Sequence, residues 1–231
     1  DITRPHQTYT YMLRSSSAHA KFSIDTSKAS NAKGVVKIFV GTDMEVGSIP
    51  CGWQVDSKDG TPMREPAHPP IAKDKVRYVG EIIAVIIAES LEDAKNAAEL
   101  IDVNYDDIPV IIDMQDALDN SKGLVHDEIE SNVCYDWELG DSEAVDKAIS
   151  EAAHITTLDI RNNRLIPNAM ETRSAIGDYE HATGQYTLYT TSQNPHVIRL
   201  LMGAFVLGLP EHKLRVIAVS YTHLTLPTMI G

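Results

Sequence analysis

Apolar and polar residues alternate from the start of the chain. Lys21-Phe22-Ser23-Ile24-Asp25 has the period of two expected of a half-buried strand, and Tyr9-Thr10-Tyr11-Met12-Leu13-Arg14 is rich in β-formers. Residues 26–33 read as a short helix closed by Gly34, and Val35-Val36-Lys37-Ile38-Phe39-Val40 as a strand between Gly34 and Gly41. Regularity lapses over 43–70, which hold five prolines and three glycines and are expected to form one long loop. It returns with the unbroken apolar run Ile82–Ala88, expected as a central strand buried on both faces. Ser90 and Asp93 then have capping-box spacing, and Leu91, Ala94, Ala98 and Ile101 form one helical stripe. Residues 102–105 and 110–112 read as strands around the turn 106–109, and this first domain is expected to end at Leu118.

Residues 119–133 are polar and contain Gly, Asn and Ser, as a linker would. Asp141 is placed to cap a helix whose Val145, Ala148, Ile149 and Ala152 form a stripe. Residues 154–161, 174–179, 185–190 and 213–218 read as strands. Between the last two, Asn194 is a candidate N-cap and Pro195 a candidate first helical residue. Ile198, Leu201, Met202 and Phe205 follow at helical spacing, and Gly208 and Pro210 end the helix. Strands interleaved with helices predict an α+β chain of two domains, 1–118 and 134–218.

Composition narrows the function classes. The chain has 231 residues, 43% hydrophobic and 23% charged, with a mean hydropathy of −0.18, as expected for a folded water-facing protein. No apolar run reaches the ~18 residues of a membrane span. The net charge is −13, and residues 91–151 hold 18 Asp or Glu against 3 Lys, so they carry the whole negative excess. This argues against nucleic-acid binding, which needs a basic face. The acidic stretch is either a solvated surface or a docking face for a basic partner. Cys51 and Cys134 are the two cysteines, 83 positions apart, with no CxxC or Cys/His cluster. They supply neither a zinc site nor an iron–sulfur site, and their scarcity favours a reducing compartment. No signal peptide is visible, and the chain starts at Asp1 rather than Met.

Motifs of general chemistry are incomplete: there is no GxSxG, HExxH, P-loop or GxGxxG. Two polar segments remain. Thr190-Thr191-Ser192-Gln193-Asn194-Pro195-His196 lies where a predicted strand turns into a helix, a place where ligands of α/β proteins gather. Gln193 has an amide to offer an oxyanion or a metal-oxo group, or it is loop structure; Asn194 is better explained as a cap. The second segment is 162–173, with Glu171 beside Arg173. A carboxylate so placed is either an ion-pair partner or a general base.

Several stretches in combination resemble a known family. Ala72-Lys73-Asp74-Lys75-Val76-Arg77-Tyr78-Val79-Gly80-Glu81, the strand and Ala-rich helix after it, and Ala97-Ala98-Glu99-Leu100-Ile101-Asp102-Val103-Asn104-Tyr105-Asp106 resemble the α/β-hammerhead domain of molybdenum hydroxylases, the xanthine dehydrogenase and aldehyde oxidase family. Arg14-Ser15-Ser16-Ser17-Ala18-His19-Ala20 fits the start of that domain, although the family usually has a proline in the serine run. Asn168-Ala169-Met170-Glu171-Thr172-Arg173, Thr191–His196 and Leu207–Ala218 resemble the opening of the family's molybdopterin-binding domain. The wording is most similar to carbon monoxide dehydrogenase-type large subunits.

The resemblance implies a molybdenum–pyranopterin cofactor, in the molybdopterin cytosine dinucleotide form. It also implies an oxidoreductase that hydroxylates a C–H bond or oxidises CO with water as oxygen source. Electrons would leave through 2Fe–2S clusters on a small subunit and FAD on a medium subunit, in a cytoplasmic dimer of heterotrimers. Gln193 matches the family's glutamine that hydrogen-bonds an oxygen ligand of molybdenum, and is the one cofactor-binding residue expected here. No catalytic residue and no metal ligand is expected within the chain. The family normally has a Gly- and Arg-containing segment before the position of Asp1, and after Ala218 it continues into a glycine-rich Asp-Val-Gly-Gly-Gly-Phe-Gly loop. Residues 219–231 instead resemble the translation of a sequencing adapter. They are expected to be a non-native tail, and the chain an N-terminal fragment, inactive alone. The alternatives are a non-catalytic interaction module using the acidic surface, or a different enzyme with Glu171 as general base.

Overall fold

The computed structural model describes residues 2–46, 48, 49, 51–163, 165 and 171–219. The chain divides into two compact units, residues 1–56 with 60–136, and residues 57–59 with 137–231. The whole is α+β, with nine strands among the described residues.

In the first unit the described elements are β1 (Tyr9–Arg14), β2 (Ala20–Asp25), α1 (Ser27–Ser30), β3 (Val35–Val40), β4 (Lys75–Val76), β5 (Ile82–Ala88), α2 (Leu91–Ala98), β6 (Asp102–Asp107) and α3 (Met114–Leu118). They make two antiparallel three-stranded sheets, ordered β1-β5-β3 and β4-β2-β6. β5 is central, as its apolar run predicts. Ala84, Ile86 and Ala88 are buried against Ala94, Ala97, Ala98 and Ile101 of the α2 region, and Ile83 joins a second cluster with Ala20, Ala72 and Val76. Burial on both faces is not uniform, because Val85 and Ile87 on the face away from α2 are only half-buried.

The helix stripe is registered on Ala94, Ala97, Ala98 and Ile101, while Leu91 in the first turn is 43% exposed. Ser90 accepts from the Asp93 N–H at 3.0 Å and donates to its carboxylate at 2.6 Å, which fixes where α2 begins. Gly34 has a φ of +73°, and a Cβ there would stand 2.7 Å from the Asp93 carboxylate, so the approach of β3 to the α2 cap requires glycine.

The expected strand at 110–112 does not form, and Ile112 is 88% exposed. β2 starts at Ala20 opposite Asp107, so after Ile108 donates to the His19 carbonyl there is no partner left, and Pro109 has no N–H to offer. The stretch 119–133, expected as a linker, hydrogen-bonds within the first unit: Lys75 Nζ meets Asp127, and Arg64 donates to the carbonyls of Val133 and Cys134.

The second unit contains α4 (Ser142–Ser150), β7 (Ala175–Glu180), β8 (Gln185–Thr190), α5 (Pro195–Leu200) and β9 (Leu214–Ala218). Asp141 caps α4 through the Ala144 N–H at 2.9 Å, yet none of the helix residues is buried. Residues 154–161 form no strand: no described segment pairs with them, and Leu158 and Ile160 stand 76% and 77% exposed. The sheet is ordered β7-β8-β9, the first pair antiparallel and the second parallel, with α5 in the crossover. The predicted long helix is α5 followed by a π-type turn over Leu201–Val206, closed by Gly208 at a φ of 62°. Asn194 does not cap it with its side chain. The tail expectation concerns 219–231, of which all but Val219 lies outside the described residues.

Candidate functional site

The end of β8 carries the predicted site. Thr190 closes the strand, its carbonyl accepting from the Val219 N–H at 2.9 Å on the β9 side. On the β7 side the Thr191 N–H donates to the Ser174 carbonyl at 3.1 Å, and the Thr191 hydroxyl accepts from the Ser174 N–H at 3.2 Å. Ser192 Oγ then accepts from the Asn194 N–H at 3.1 Å. This bond turns the chain into α5 in place of the Asn194 cap that the sequence suggested. Gln193 sits at the bend between these two bonds, exposed, with no hydrogen bond among the described residues. Among the described residues its carboxamide donors meet no acceptor.

The clamp on Ser174 also sets Arg173, the last residue of the second sequence segment, beside the 190–196 turn at one end of the sheet. Glu171 is half-buried, while Asn168, Ala169 and Met170 lie outside the described residues. Behind the turn, the Arg199 guanidinium meets Glu211 at 2.8 Å and braces α5 against the segment that leads into β9.

A cleft of about 230 Å³ opens elsewhere in this unit, lined by Tyr179, Tyr186, Leu188, Met202, Leu207 and Leu214. It includes the first turn of the β7–β8 ladder, where the Tyr179 and Tyr186 rings lie 4.5 Å apart. Those residues are at the opposite end of β8 from Gln193. Its exposed lining is almost wholly apolar, although Asp178 and Thr187 also border it.

Sequence reasoning missed one buried polar cluster, in the first unit. Lys75 Nζ, with a side chain only 6% exposed, lies 3.1 Å from each Asp127 carboxylate oxygen. Lys75 holds the Asp127 carboxyl below the usual carboxylate range, helped by Arg77 and His19. Burial, then the Arg77 charge, pushes the His126 imidazole below its ordinary value. His19 Nδ1 donates to the Pro109 carbonyl at 2.8 Å, which sets its tautomer. No local pattern marks this cluster in the sequence, because its members lie far apart along the chain and the Lys21–Lys75 pairing exists only in the folded sheet. Among the described residues no group of three His, Cys, Asp or Glu is placed to hold a metal ion, and no helix is long and apolar enough to cross a membrane.

Comparison with known proteins agrees with the fold. The family model "Aldehyde oxidase and xanthine dehydrogenase, a/b hammerhead domain" matches residues 1–109, and that of the molybdopterin cofactor-binding domain matches 125–221. The chain is 29% identical to the carbon monoxide dehydrogenase large chain of Afipia carboxidovorans over 94% of its own length, and to the nicotine 6-hydroxylase large subunit of Paenarthrobacter nicotinovorans at the same identity and share. It spans 27% and 26% of those two relatives. The crystal structure of a Cu,Mo-CO dehydrogenase in its carbon monoxide reduced state superposes with a TM-score of 0.82 at 27% identity, covering 94% of this chain and 28% of that one. Quinoline 2-oxidoreductase from Pseudomonas putida 86 gives 0.79 at 28% identity, covering 94% and 27%. With a hammerhead domain and a molybdopterin cofactor-binding domain in tandem, the chain belongs to the aldehyde oxidase and xanthine dehydrogenase family of molybdenum-cofactor oxidoreductases.

Proposed function

We propose that these residues are the hammerhead domain and the opening of the cofactor domain of a longer large subunit, whose holoenzyme hydroxylates a C–H substrate or oxidises CO. The observation that carries this reading is the tandem order of the two domains, with an unengaged Gln193 carboxamide at the end of β8 in the second. When bound, a molybdenum–pyranopterin, in the cytosine dinucleotide form, supplies the redox chemistry and delivers a water-derived oxygen. Gln193 is the residue of this chain that meets it. A neutral amide fits this role because its N–H stabilises charge growing on an oxygen, while the group neither competes as a charged ligand nor adds charge of its own.

The partners in this reading are a medium subunit carrying FAD and a small subunit carrying 2Fe–2S clusters, assembled as a dimer of heterotrimers in the cytoplasm. The chain's own cysteines fit that division of labour. Cys51 and Cys134 are exposed free thiols that make separate contacts, with the carbonyls of Trp53 and Arg64.

The test is Gln193→Ala in the assembled holoenzyme. kcat is expected to fall roughly 10²–10³-fold, the usual effect of deleting one such donor. Molybdenum content by metal analysis and the fold by circular dichroism should hold. Full kcat at full molybdenum loading would remove Gln193 from the site.

A further inference from the structure

We propose that Thr191 is a positioning residue for Gln193, acting by replacing a main-chain acceptor with its own hydroxyl. The proposal rests on the cofactor reading of Gln193 given above.

In an antiparallel ladder, a hydrogen-bonded pair exchanges two main-chain bonds. The pair that follows Ala175 and Thr190 in the β7–β8 register is Ser174 and Thr191. One of its bonds is regular, from the Thr191 N–H to the Ser174 carbonyl at 3.1 Å. The other is not: the Ser174 N–H goes to Thr191 Oγ1 at 3.2 Å, and the same hydroxyl lies 3.4 Å from the Ser174 carbonyl. The side chain thus holds β7 while the Thr191 carbonyl is released from the ladder, so the main chain can leave the sheet after one more residue. Thr191 is 8% exposed and, among the described residues of this unit, is the buried polar side chain.

β-branching leaves Thr few rotamers, so a hydroxyl so engaged fixes both backbone and side chain. Gln193 follows two residues later, and Ser192 Oγ secures its other flank through the Asn194 N–H. The backbone fixes the Cα–Cβ bond from which the Gln193 carboxamide reaches out, and the Thr191 hydroxyl holds that backbone to β7. The same clamp joins Arg173, the last residue before Ser174, to the turn.

The experiment compares Thr191→Val, which keeps shape and removes the hydroxyl, with Thr191→Ser, which keeps the hydroxyl. In the 231-residue chain, amide hydrogen exchange should find Ser174 protected. Thr191→Val should raise exchange at Ser174 and over 191–194 about tenfold, the scale of one lost hydrogen bond, and Thr191→Ser should not. In the holoenzyme, Thr191→Val should lower kcat about ten- to hundredfold through misplacement of Gln193. KM and molybdenum content should stay within about twofold of wild type, since the lost bond lies outside substrate binding, and Thr191→Ser should restore kcat.

A freely exchanging Ser174 amide in the wild-type chain overturns the proposal without any variant. Raised exchange in Thr191→Val with undiminished kcat overturns it as well, provided Gln193→Ala is impaired. An unimpaired Gln193→Ala sinks the cofactor reading of Gln193 and the proposal with it.

Discussion

The Lys75–Asp127 pair gives an asymmetric prediction. Lys75 has a side chain 6% exposed, whereas that of Asp127 is 74% exposed, so the two partners differ in what their loss leaves behind. Asp127→Asn leaves a desolvated ammonium without its counter-charge. Stranding a buried charged donor costs more than the ~1–3 kcal/mol of a neutral one, but the water around Asp127 screens the pair and reduces the loss to about 1–2 kcal/mol. Lys75→Met keeps the apolar stem and leaves only a hydrated carboxylate, so it should change stability by less than about 0.5 kcal/mol.

The pH dependence has a definite sign. Asp127 titrates below its ordinary value in the folded chain. Its contribution is therefore fully present above about pH 4, the unfolded carboxylate range, and is lost as pH falls through the lowered folded value. Thermal unfolding of the 231-residue chain, followed by circular dichroism at pH 7 and again near pH 3, reads both effects. At pH 7 Asp127→Asn should lower the melting temperature by roughly 3–6 °C, and the gap to wild type should narrow in acid. If Lys75→Met proved the more damaging change, or if the gap widened in acid, the argument from unequal burial would be wrong.

Two further outcomes concern the frame that carries the sheets. Ser90→Ala removes the α2 cap and should cost about 1 kcal/mol in urea titration; no change would mean that packing alone sets where α2 starts. Ile86→Ala opens a cavity between the central strand and α2, where Ile86 has no exposed surface. It should cost about 2–5 kcal/mol, read from the midpoint shift, and a loss under 1 kcal/mol would show that the site collapses to fill the space.

Much of the first unit was legible because local and global signals agree there. Ile82–Ala88 has the unbroken apolar run of a central strand, and Ser90 with Asp93 marks the helix that covers it. Errors arose where pairing decides the outcome. Val110-Ile111-Ile112 is as apolar as many strands, but β2 starts opposite Asp107 and offers no further edge. The Lys75 cluster was invisible for a similar reason: its members, at 19, 75, 77 and 126–128, are distant in sequence and meet only through the fold. At the candidate site, the segment 191–196 was legible as a strand-to-helix turn. The roles within it were not, because Ser192 rather than Asn194 supplies the hydroxyl that turns the chain, and Thr191 bonds backwards to Ser174.

The helices α2 and α4 make the physical point sharply, because their local signals are alike. Each begins with a side-chain cap, Ser90 in one and Asp141 in the other, and each presents an apolar stripe at helical spacing. In α2 the stripe is alanine, small enough to lie close against β5, and Ala94 and Ala97 are fully buried. In α4 it is Val145 and Ile149, which stand 55% and 49% exposed. Capping and periodicity dictate that a helix forms and which face is apolar; they carry no information about what that face will meet. The same division governs the site. The sequence places Gln193 at the end of a strand by local rules, but the backbone around it is held by the hydroxyls of Thr191 and Ser192, and the Thr191 bond to Ser174 exists only once β7 has paired with β8.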